Sequence, residues 1–111
     1  MERSIQTDRI YSLVGLARKA GQVAIGHAAV EAAVKKGRAK LVIIANDAAQ
    51  NTKDRFKITG KRTNIACAYA GDKSTWGQLF GRESAAVFAI LEKGFAAAIR
   101  GELGKKPPGE N

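Results

Sequence analysis

A chain of 111 residues, 45% of them hydrophobic, is long enough to bury one core and too short to require a second domain. Nineteen Lys and Arg against ten Asp and Glu leave a net charge of +9, a field that attracts phosphate polymers and acidic surfaces. The lone cysteine, Cys67, excludes an internal disulfide framework, and no apolar run nears the ~20 residues of a bilayer span. The polar start MERSIQTDR lacks the apolar segment of a secretory signal, so a cytoplasmic location is expected.

Thr7 is placed to cap a first helix over Asp8 to Ala20, with Asp8 at its positive end and Gly21 as its stop. Ile10, Leu13, Val14, Leu16 and Ala17 form its apolar face. A short strand, Gln22 to Ile25, leads to Gly26, where a second helix starts. In that helix Ala29, Val30, Ala33 and Val34 are expected on the core side before Gly37 ends it. Ala39 to Ala45 is a continuous apolar run, which fits a central strand covered on both faces and completes a βαβ unit. Asn46 or Asp47 is the expected cap of a third helix reaching about Lys57 and broken at Thr59 and Gly60.

Asn64 to Ala70 reads as a strand, and Ser74 to Phe80 as a short helix capped by Ser74. Ala85 to Leu91 supplies a further strand, and Lys93 to Arg100 a last helix presenting Phe95, Ala98 and Ile99. Strands alternating with helices predict a three-layer α/β/α sandwich, one domain over residues 1–100. From Gly101 the composition shifts to GELGKKPPGEN, and the paired prolines predict a basic, mobile tail.

Catalytic chemistry has little to build on. His27 and Cys67 have no spaced partners for a metal site, and Cys67 lies between Ala66 and Ala68 in a strand, where it reads as a small buried hydrophobe. Neither GxGxxG nor a P-loop is present, so no nucleotide cofactor is expected, and no nucleophile is paired with a base. The expectation is a non-enzymatic protein without cofactor or metal. Phosphate binding is better founded: at Gly26 and His27 a strand feeds a helix whose first amides lack partners, and Lys35, Lys36, Arg38 and Lys40 follow closely. His27 can touch RNA or stand by at the helix start. Trp76, beside Leu79 and Phe80 at helical spacing, is expected in the core rather than stacked on a base.

The stretch GHAAVEAAVKKGRAKLVIIANDA from Gly26, together with STWGQLFGRESAAVFAIL and EKGFAAAI, resembles the superfamily of the archaeal and eukaryal ribosomal proteins L-seven-Ae and L-thirty-e. The resemblance covers about Ile10 to Ile99 and is nearest to the small bacterial YlxQ-like branch. It implies a three-layer α/β/α sandwich with a mixed four-stranded sheet that binds kinked RNA. In the family's kink-turn binders an Asn-Glu pair, and a Lys three residues on, follow the glycine; here those positions are Ala28, Ala29 and Ala32. The apolar residues that meet an extruded base are replaced by Arg82, Glu83 and Ser84. The resemblance thus implies a shape-directed contact through Gly26, His27, Ala28, Ala29, Lys36, Asn46, Lys73 and Arg82, with structured RNA, ribosomal RNA or the ribosome as partner. A monomer is expected. The alternative is a protein-interaction or dimerisation module using the alanine-rich helix Ala28 to Val34.

Overall fold

The computed structural model describes residues 5–104. Its elements alternate as α1 (Ile5–Lys19), β1 (Val23–Ile25), α2 (His27–Lys35), β2 (Leu41–Ile44), α3 (Gln50–Thr63), β3 (Ala66–Tyr69), α4 (Lys73–Phe80), β4 (Val87–Ile90) and α5 (Lys93–Leu103). The strands form one sheet in the order β1-β4-β2-β3. β2 pairs in parallel with β3, Leu41 opposite Ala66, and antiparallel with β4, Leu41 opposite Ile90. β4 is antiparallel to β1, Val23 opposite Ile90, so β1, β2 and β3 all point the same way. This is the expected mixed four-stranded sheet; alternation by itself favours parallel neighbours, and β4 is the strand that departs from that rule.

Each residue of β2 and β4 is buried, because helices cover both faces of these central strands. On one face α2 and α3 meet through His27 and Phe56, ring centroids 5.7 Å apart, and through the Arg55–Glu31 ion pair at 2.6 Å. On the other face Tyr11 of α1 packs edge-on against Trp76 of α4 at 4.5 Å, and Arg9 of α1 pairs with Glu102 of α5 at 3.6 Å. Trp76 is a core residue: its ring lies 4.8 Å from Phe88, and its indole N–H donates to the Ala70 carbonyl at 2.7 Å. The polar handle of the indole is thereby satisfied inside an apolar cluster. No helix among the described residues is long and apolar enough to cross a membrane.

Several boundaries differ from the sequence expectation, each for a local reason. α1 is already helical at Ile5, so Thr7 is an interior position rather than a cap. Ala29 is exposed while Val30, Ala33 and Val34 are buried, because the first turn of α2 projects past the last β1–β4 pair, Ile25 with Phe88. Neither Asn46 nor Asp47 caps α3, which begins only at Gln50, after the extended residue Ala49. α3 also runs through Thr59 and Gly60 to Thr63. There Gly60 is a packing notch rather than a breaker, since a Cβ on it would lie 2.5 Å from Cys67 Sγ and 2.9 Å from the Ile65 carbonyl.

The helix ends instead at Asn64, whose left-handed φ of 60° takes it out of the expected strand. α4 is capped by Asp72, not Ser74: its carboxylate accepts from the Thr75 amide at 2.7 Å. α5 continues past Arg100 to Leu103, which extends the buried stripe of Ala96 and Ile99 against the core. The remainder of the expected tail, from residue 105, lies outside the described residues.

Candidate nucleic-acid interface

Because β1, β2 and β3 run in one direction and β4 in the other, four connections converge at one end of the sheet. Backbone hydrogen bonds stitch them together. The Gly26 amide donates to the Val87 carbonyl at 2.9 Å, the Ala45 amide to Ala86 at 2.8 Å, and the Asn46 amide to Gly71 at 2.8 Å. Asp47 Oδ1 accepts from the Lys73 amide at 2.9 Å, and the Lys73 carbonyl accepts from the Ala85 amide at 3.0 Å. Arg82 reaches back across this edge: its Nη1 lies 3.7 Å from where a Cβ on Gly26 would sit. Gly26, His27, Ala28, Ala29, Asn46, Lys73 and Arg82 are therefore neighbours, although 56 positions separate Gly26 from Arg82 (82 minus 26).

Lys36 is not among them. It is the C-cap of α2, and the nine residues of that helix carry it to the opposite end of the sheet, ~13 Å along the axis. Lys35, Arg38 and Lys40 follow it to that end.

The start of α2 is the chemically distinctive part of the edge. Gly26 adopts φ 96° and ψ 165°, a conformation essentially restricted to glycine, and its carbonyl accepts the first intrahelical bond, from Val30 at 3.0 Å. The amides of His27, Ala28 and Ala29 precede that bond, and no side chain caps them. Ala28, Ala29 and Ala32 are exposed and carry nothing that could cover these donors. A donor cluster open to solvent at the positive end of a helix accepts anionic oxygens.

His27 is anchored by a hydrogen bond between Nε2 and Thr52 Oγ1 at 3.0 Å, with Phe56 beside the ring. Sequence reading missed Thr52 as a partner. Its signal was the helical spacing of Thr52, Phe56 and Gly60, which places a hydroxyl on the buried face of α3. Asp47 was also misassigned: its carboxylate, with that of Asp72, holds the start of α4 and with it the Lys73 backbone. The charge of the edge is consequently mixed, with Lys73 and Arg82 set among Asp47, Asp72 and Glu83. Cys67 lies away from it on β3, half-buried, donating to the Phe56 carbonyl at 3.3 Å; burial pushes its thiol pKa up.

The layered sheet and its single gathered edge define an α/β/α sandwich domain that presents backbone donors from the loops at one end. Residues 8–99 match the Ribosomal protein L7Ae/L30e/S12e/Gadd45 family, and the chain belongs to it. It is similar to the RNA-binding protein YlxQ of Enterococcus faecium, 33% identical over 85 residues that span 77% of this chain and 82% of that protein. It is equally similar to the RNA-binding protein YlxQ of Bacillus subtilis (strain 168), 33% identical over 88 residues, 78% of this chain and 86% of that one.

Among solved structures, a protein with unknown function from Bacillus halodurans C superposes with a TM-score of 0.82 at 27% identity, covering 86% of this chain and 97% of that one. The Giardia lamblia 15.5kD RNA binding protein shares the fold, with a TM-score of 0.73 at 17% identity over 94% of this chain and 89% of that one.

Proposed function

We propose that this protein binds structured RNA, without catalysing a reaction, through the edge built by Gly26, the first turn of α2, Asn46, Lys73 and Arg82. The observation that carries this reading is the uncapped start of α2, with three amide donors open to solvent and the Arg82 guanidinium beside Gly26. The relatives' description as RNA-binding proteins supports the ligand class. With alanine at positions 28, 29 and 32, base edges meet no side-chain donor at those three positions of α2. Recognition rests on the shape of a bent or looped backbone, held by amides, His27 and Arg82, and not on a kink-turn code read by that helix. Ribosomal RNA is a candidate partner, and the protein acts as a cytoplasmic monomer.

Fluorescence anisotropy with a kinked RNA and a straight duplex of equal length tests the proposal. The kinked RNA binds more tightly, and its affinity falls steeply as salt rises from roughly 50 to 200 mM. Arg82→Ala weakens binding and lowers the log-log salt slope by about one. Flat titrations with both RNAs at low salt refute it.

A further inference from the structure

The net charge of +9 is not concentrated at the loop edge, where acids and bases alternate. Much of it lies along the outer side of α3. This helix carries Lys53, Arg55, Lys57, Lys61 and Arg62 against the single acid Asp54. Arg55 is paired with Glu31, and Asp54 accepts from Gln50 at 3.0 Å. Among the described residues none of Lys57, Lys61, Arg62 and Arg100 takes part in an ion pair.

Two clefts flank the C-terminal half of α3. One, of about 550 Å³, opens at the free edge of β3, where the two helix layers meet around the sheet. Lys57 and Lys61 face it from successive turns of α3, Arg100 faces it from α5, and no carboxylate lines it. The second, of about 170 Å³, lies between α2 and α3 and is lined by Lys35, Arg62 and Glu31, whose carboxylate is paired with Arg55. The attraction of cations to a helix's negative end accounts for Lys61 and Arg62. It does not account for Lys57, a turn earlier, nor for Arg100, which comes from another helix. Like charges one turn apart disfavour the helix that holds them, so an uncompensated Lys57–Lys61 pair facing Arg100 is an arrangement that a bound anion relieves.

One phosphate cannot serve both clefts. They lie on opposite sides of a helix whose width with side chains is ~10 Å, and an RNA backbone supplies charges at intervals that suit such a track. The crest between them carries the exposed Ile58, 57% accessible, and the acid on the same face, Asp54, lies a turn before the clefts and accepts from Gln50. We propose that this ridge, formed by Lys57, Lys61, Arg62, Arg100 and Lys35, is a second RNA-backbone contact. The protein then holds one RNA at the loop edge and along α3 at once. Thr52, which touches His27, and Lys61 are nine residues apart on α3, ~14 Å along its axis. The proposal rests on the RNA reading of the loop edge and adds a second segment of the same ligand.

The test uses the full chain and two RNAs: a kinked RNA that reaches only the loop edge, and the same RNA extended by a helical arm. The unmodified protein binds the extended RNA more tightly and with a steeper salt slope. The triple variant Lys57→Gln, Lys61→Gln, Arg100→Gln removes that gain, lowering the slope by about 2 to 3 and the affinity by roughly tenfold or more at low salt, while binding to the short RNA holds. A charge-matched control, Lys19→Gln, Arg38→Gln, Lys93→Gln, retains the steeper slope. An equal loss in the control overturns the proposal by making it an effect of net charge. A triple variant that keeps the full slope overturns it while leaving the loop-edge reading intact, and such a ridge would then serve an acidic protein instead. If Arg82→Ala leaves the short RNA's affinity unchanged, the loop-edge reading fails, and the two-point contact fails with it. Circular dichroism of the variants, all at exposed positions, checks that each is folded.

Discussion

Replacing Gly26 by alanine separates what the loop edge needs sterically from what it needs conformationally. The backbone there has φ 96° and ψ 165°, outside the regions open to residues with a Cβ. Space is not the obstacle, since the nearest heavy atom to an added Cβ, Arg82 Nη1, lies at an ordinary contact distance of 3.7 Å. The penalty is therefore torsional, about 1 to 3 kcal/mol, which for a domain of this size lowers the melting temperature by roughly 5 to 20 °C. If the turn relaxes to escape the strain, the amides of His27, Ala28 and Ala29 change direction, and RNA affinity falls by at least about tenfold, the equivalent of 1.4 kcal/mol.

Differential scanning calorimetry and anisotropy at 25 °C, where the variant remains folded, measure both. An unchanged melting temperature refutes the conformational argument. A lowered melting temperature with full RNA affinity refutes the role of these amides. Adding Arg82→Ala to Gly26→Ala gives no recovery of stability; recovery would show that the clash, not the torsion, was the cause.

Asp47→Ala removes the acceptor for the Lys73 amide at 2.9 Å and costs about 1 kcal/mol in urea unfolding; a smaller loss than about 0.3 kcal/mol would mean that solvent replaces the bond. Glu92 offers a pH test. Hydrogen bonds from the Phe95 and Gly94 amides hold its carboxyl below the ordinary carboxylate value, so its stabilising contribution is complete above that value and is lost as pH falls through the folded-state pKa. The melting-temperature gap between the parent and Glu92→Gln is accordingly widest near neutrality and closes in the acid range. A gap that is constant with pH contradicts the assignment.

The two central strands were readable because Leu41 to Ile44 and Val87 to Ile90 are apolar throughout, and a run so short and rich in β-branched residues fits a strand covered on both faces. Helix ends were harder because their determinants are tertiary. Gly60 looked like a stop, yet the chain needs it inside α3 so that Cys67 and the Ile65 carbonyl can come close, a contact that no local propensity encodes. Asn46 and Asp47 had the composition of a cap, but the Asp47 carboxylate is spent on Lys73, 26 residues away, and the chain turns before α3 begins.

The same distinction governs the candidate site. Gly26 and the bare alanines after it could be found in sequence because a helix start is a local event. The bond from His27 to Thr52, 25 residues on, could not. Lys36 shows how a true count of charge misleads about place: ten residues from Gly26 in sequence, it is a full helix away in space. Net charge and local motif adjoin one another in the sequence from Gly26 to Lys40, and the fold assigns them to different surfaces. In the proposed mode of binding, the oriented amides of the gathered loops recognise a bent backbone, while the cations along the side of α3 hold an extended one. Direction of donors and density of charge are separable means of binding a polyanion, and a domain that keeps them apart can lose one and retain a weakened form of the other.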